Sequence, residues 1–181
     1  MRSRLASRSA RAALAVAAAA TLTATTATTA ATALADSGDT VRKSDVGQVC
    51  GTNDLSFTLS RQSQAGGYFL IAAKALPGIT CHLEGTFPSA GFGSAADTHV
   101  TPIEQGVSET IKLSGSTTAY AGINPKSTDS ADGRQFSQLF VAVAGYEADA
   151  VAFRLSEPVL VDKPVATNWH TDPADAVPYI G

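Results

Sequence analysis

What is scarce in this 181-residue chain narrows its class before any motif is read. No Asp or Glu precedes Asp36, and no cluster of Lys or Arg exceeds the pair Arg42-Lys43. Phosphate backbones and anionic lipid surfaces are gripped by clustered cations, so nucleic acid and anionic membrane are not expected partners. A bilayer-spanning helix takes about 20 apolar residues. The Ala-rich run "AALAVAAAATL" is broken by Thr21, Thr23, Thr25 and Thr26, and no later segment qualifies, so no permanent membrane insertion is expected. No window of helical length carries an apolar i, i+3, i+4, i+7 stripe bounded by caps, which argues against a helical or α/β fold.

Catalytic motifs are also missing. "GFGSA" has the wrong register for a G-x-S-x-G elbow, and H-E-x-x-H, P-loop and G-x-G-x-x-G patterns do not occur. His82, His99 and His170 lie far apart with no metal-ligand spacing. Asp129 and Asp132 in "NPKSTDSADGRQ" alternate too sparsely for a calcium loop, so this stretch reads as a solvated polar loop. No metal or cofactor is expected.

The N-terminus holds a positive signal. Arg2, Arg4, Arg8 and Arg11 precede the apolar run, and a Thr/Ala tract then ends in Ala33-Leu34-Ala35. A basic start, a modest apolar centre and an A-x-A-like site mark residues 1–35 as a cleaved secretory signal peptide. The expected location is therefore secreted and extracellular, free or associated with the cell wall. Cleavage removes four of 13 basic residues and none of the 16 acidic ones, leaving 9 − 16 = −7. Residues 36–47, "DSGDTVRKSDVG", are polar and read as a flexible leader.

Residues 48–181 read as a single β-sandwich domain with an extended C-terminal tail. In "LSFTLS", Leu55, Phe57 and Leu59 alternate with Ser56, Thr58 and Ser60, so one face is buried and the other wet. "YFLIAAKAL" reads as a second strand, and "TCHLEGTF" as a third, ended by Pro88. "ETIKLSGSTTAYAGI" predicts strand, Ser-Gly-Ser turn and strand, "QLFVAV" a central strand, and "AVAFRLS" and "PVLVDKPV" two more extended stretches. Gly85 suits a bulge or bend, and Gly91 and Gly93 a flexible loop. Short strands punctuated by Gly, Pro and Ser predict an all-β fold, a sandwich or small barrel.

Cys50 and Cys81 are the only cysteines, an even count in an exported chain, which predicts one disulfide. The bridge would tie the start of the first strand to the third. Closing a loop of about 31 residues is worth roughly 3.5 kcal/mol on the chain-entropy estimate. A catalytic Cys81 would need a base beside it, but on a strand the adjacent His82 points to the opposite face.

A Cys ahead of "DLSF", followed by "TCHLEGTFPSAGFGS", resembles the exported actinobacterial domain-of-unknown-function family 4232, whose members pair a Cys before a D-L strand with a later T-C-x-L-x-G…P motif. "IKLSGSTTAYAGI" looks like a further stretch of that family, and the resemblance covers roughly residues 48–162. It implies an immunoglobulin-like antiparallel sandwich and an exported location, and it implies no activity.

The tail "VATNWHTDPADAVPYIG" holds the only tryptophan, Trp169, beside His170. Trp169 either caps one end of the sandwich, the reading the sequence favours, or anchors a ligand as exposed aromatics do. Trp169 and His170 are therefore the candidate ligand-binding residues. The expected function is a non-catalytic extracellular module that binds a protein or cell-wall component. The alternatives are a secreted hydrolase with dispersed catalytic residues, and a secreted inhibitor or metal-handling protein.

Overall fold

In the computed structural model the described residues are 47–94 and 98–180. The signal peptide assigned to residues 1–35 and the leader assigned to 36–47 lie outside them, Gly47 excepted. Strands dominate: β1 (Leu55–Gln62), β2 (Tyr68–Ala75), β3 (Thr80–Gly85), β4 (Ser89–Phe92), β5 (Thr101–Pro102), β6 (Ser108–Ser114), β7 (Thr118–Asn124), β8 (Arg134–Ala142), β9 (Val151–Val161) and β10 (Val165–Ala166). Short 3₁₀ turns fall at Thr52–Asp54 and Glu147–Asp149.

The strands form a five-stranded sheet, β1-β2-β7-β10-β5, a three-stranded sheet, β4-β8-β9, and a ribbon, β3-β6. Among the described strands every pairing is antiparallel except β10 with β5. The alternation of "LSFTLS" sets which face is buried. Leu55, Phe57 and Leu59 pair with Ala75, Ala73 and Ile71 in register, and Ala119 and Ala121 of β7 continue those rows. Ile71, Ala73, Ala119, Ala121 and Ile123 are fully buried, as are Leu139 and Val141 of the other sheet. The Phe69 and Phe92 rings, 6.2 Å apart and tilted, join the two sheets across the core. A β1-β2-β7 layer facing a β4-β8-β9 layer, with β2 and β8 central, is the A-B-E and C-F-G connectivity of an immunoglobulin-like sandwich. The predicted "QLFVAV" strand is the C-terminal half of β8, which is central in its sheet, and runs one residue past its end at Ala142.

Three local expectations are corrected. The "TCHLEGTF" strand stops at Gly85 and not at Pro88, because the register with β6 shifts between Leu83 and Gly85. Gly85 is the bulge residue, where a β-carbon would sit 2.3 Å from the Ser108 carbonyl oxygen, so only glycine permits the crossing. Gly91 is not in a loop: it lies within β4 opposite His99. Gly93 follows it at φ +62°, and a β-carbon there would press on the Phe136 ring at 2.6 Å. "AVAFRLS" and "PVLVD" merge into the single strand β9, whose register with β8 shifts where Leu155–Pro158 face Ser137. Pro158 thus falls in an unpaired stretch of an edge strand, where its missing N–H leaves no ladder bond open.

The disulfide joins Cys50 to Cys81 with Cα atoms 5.0 Å apart, and both residues are fully buried. Beside it, Cys50 donates its N–H to the His82 carbonyl and His82 donates to that of Gln48. The Asp54 carboxylate closes the turn between them by accepting the Gly51 N–H at 3.0 Å and the Gln48 amide at 3.2 Å. The Asp-Leu pair that opens β1 therefore anchors the segment carrying Cys50.

Candidate functional site

The sequence singled out Trp169 and His170, and the structure separates their roles. Trp169 is 1% exposed and packs on Phe57 with ring centroids 6.4 Å apart, so its ring belongs to the core. A bulge puts it there. Beyond Ala166, opposite Ile123, the tail returns to register at His170, opposite Tyr120, so residues 167–169 face only Gly122 and Ala121. Thr167 absorbs the extra residue. Its N–H reaches the Gly122 carbonyl, while its hydroxyl accepts the Gly122 N–H at 2.9 Å and donates to the Asn168 carbonyl at 2.9 Å.

His170 has a partner 66 positions away. Its Nε2 lies 3.0 and 3.1 Å from the two Glu104 oxygens. Glu104 also accepts the Asn168 N–H, and the Asn168 side chain donates to the Gly106 carbonyl. His170 and Trp169 both line a recess of about 220 Å³, with Ser108, Thr110 and Asp175. Among the described residues no hydrogen bond joins His170 to a Ser or Thr hydroxyl, so the geometry is that of a tether holding the 103–107 loop to the tail. Glu104 itself carried no signal in "TPIEQG".

A larger cleft, of about 400 Å³, opens between the two sheets at the end marked by the β1–β2 hairpin. Arg61, Gly66 and Gly67 form its hairpin wall. The Ala65, Gly66 and Gly67 backbones all have positive φ, which turns the chain sharply and brings bare backbone to the rim. Tyr68, Phe69, Pro158, Val159 and Leu160 supply the apolar part of a mixed lining. Burial, then the neighbouring Tyr179, pushes the Tyr68 phenol above its ordinary pKa.

The opposite wall is the start of the 125–133 loop. Asn124 ends β7 and its Oδ1 accepts the Lys126 N–H at 2.9 Å, a side-chain turn that Pro125 favours. The Lys126 ammonium donates to both the carbonyl and the hydroxyl of Thr128. The Thr128 hydroxyl in turn donates to Asp162, as does Ser130 at 3.0 Å. These hydroxyls, Thr128 first, hold the Asp162 carboxyl below the usual aspartate range, with Lys126 and Lys163 adding to the effect. Backbone bonds from Ser127 to Asp162 and from Asp162 to Pro125 complete the stitching. The loop that reads as merely solvated is thus fastened to the end of β9. Sequence could not find this wall, since nothing in "NPKSTDS" names Asp162 as its partner.

A disulfide-stapled Greek-key sandwich with a ligand-sized cleft at one end belongs to the class of small immunoglobulin-like β-modules. The chain is a member of the domain of unknown function family DUF4232, whose family model matches residues 50–172, more than half of its length. No curated protein and no solved structure matches it.

Proposed function

We propose that this protein is an exported, non-catalytic β-sandwich module that binds a protein or cell-envelope component outside the cell, with the hairpin-end cleft as its contact surface. The observation that carries the reading is the cleft itself. Its volume of about 400 Å³ falls in the range of ligand sites, and its loop wall is held in place by a chain of hydrogen bonds before any ligand arrives. Export is supported by the basic, Ala-rich N-terminus and by the buried disulfide, which persists in oxidising compartments.

The test is retention of envelope fractions and secreted proteins on the protein purified from culture medium, beside the Arg61→Ala/Lys126→Ala variant. Retention of a defined component by the wild type and its loss in the variant is the expected result. Equal retention by both, or turnover in a broad hydrolase panel, would overturn the proposal.

A further inference from the structure

We infer that the hairpin-end cleft takes a carboxylate carried on a short apolar body, the inference resting on the binding role proposed above. The charged side chains that line the cleft are both cationic, in a chain that is acidic overall. Acidic residues outnumber basic ones by 16 to 13, yet the side chains lining this cleft include Arg61 and Lys126 and no Asp or Glu. The two cations come from opposite walls, one from β1 and one from the 125–133 loop.

Lys126 is the better prepared of the two. A lysine ammonium has three N–H donors. Two go to the oxygens of Thr128, which leaves one and pins a side chain that would otherwise lose rotamer freedom on binding. Asp162 attracts it through the bridging Thr128 hydroxyl, and among the described residues no direct ion pair joins the two. Among the described residues Arg61 pairs with Glu157, at 3.9 Å, with the two side chains 58% and 79% exposed. So loose and exposed a pair contributes little and exchanges readily for a ligand carboxylate.

The rest of the lining sets the body of the ligand. Pro125, Pro158 and Leu160 add carbon surface to the lining that carries the two charges. A fully hydrated dianion such as phosphate would leave that surface unused, and its second charge would meet the acidic balance of the chain. One carboxylate on an apolar side chain, as at the C-terminus of a peptide, matches both features.

The experiment is a titration of the ¹⁵N-labelled protein, disulfide intact, with three probes: N-acetyl-leucine, N-acetyl-leucinamide and inorganic phosphate. The acid should shift the amide resonances of Gly66, Gly67 and Lys126. The uncharged amide and phosphate should each bind at least about tenfold more weakly, the equivalent of one lost charge-assisted hydrogen bond. Arg61→Leu and Lys126→Met should each weaken the acid by about tenfold, while Lys112→Met, remote on β6, should not. Arg61 is exposed, so its variant keeps the test valid if Lys126→Met disturbs the loop. Binding of the amide as tight as the acid, tighter binding of phosphate, indifference to Arg61→Leu, or no shift with the acid would each overturn the inference. If a partner is retained through Arg61 and Lys126 while the acid is inert, the ligand chemistry fails and the module reading stands. If the acid binds and nothing is retained, the reverse holds.

Discussion

Gly122, in the middle of β7, lies so close to the C-terminal tail that a β-carbon on it would sit 2.1 Å from the Ala176 carbonyl oxygen. The tail therefore folds back over the outer face of the five-stranded sheet, burying Ala176, Val177 and Pro178. Gly122→Ala cannot be accommodated without moving the tail. It is expected to lower the unfolding free energy by about 1–3 kcal/mol, as overpacking does, and to open residues 171–180 to proteolysis. An unchanged denaturation midpoint with an equally protected tail would count against it.

The disulfide gives a second expectation. Cys50→Ala and Cys81→Ala should each destabilise the protein by about 2–5 kcal/mol, and the double variant should be hardly worse than either, since one bond is lost in all three. Alkylation of the native protein without reductant should add no mass. Clearly additive losses, or a free thiol in the folded protein, would contradict the pairing.

Trp169 reports on the core. Its emission should be blue-shifted in the native protein and move to longer wavelength on unfolding, because the ring is buried against Phe57. Trp169→Ala should destabilise by about 3–5 kcal/mol through the cavity it leaves. A native spectrum like that of free tryptophan would show the ring to be in water.

The wall of the cleft should depend on acid. Asp162 is held below the ordinary aspartate pKa, so its ionised form is the one the hydroxyls of Thr128 and Ser130 favour. That hold is complete above about pH 4, the unfolded aspartate value, and is lost as the pH falls through the depressed folded one. Thr128 and Ser130 resonances should therefore move together in an acid titration below pH 4, and Asp162→Asn should abolish the transition. A transition that survives Asp162→Asn belongs to another group.

Much of the fold was legible because strand signals are local. The period-two alternation of Leu55, Phe57 and Leu59 needs no partner to be recognised, and neither does the Ser-Gly-Ser turn, whose Gly115 adopts φ +56°. Gly85 as a bulge was likewise visible in the residue type. Gly91 was misread because a glycine inside a strand and one in a loop look alike until the neighbouring chain, here His99, is in place.

The site was less legible. Arg61 and Lys126 are ordinary surface residues in sequence, and Glu104 and His170 are 66 positions apart. They become neighbours only through pairings between distant strands.

By itself the sequence determined the all-β class, the Cys50–Cys81 staple and the family, since alternation, an even cysteine pair and a short motif are all carried by adjacent residues. The tertiary structure alone decided that Trp169 seats against Phe57, that Thr167 absorbs a bulge, and that two cations share one cleft. Each of these depends on which strands lie side by side and in what register, and a shift of one residue would turn every one of those side chains to the opposite face.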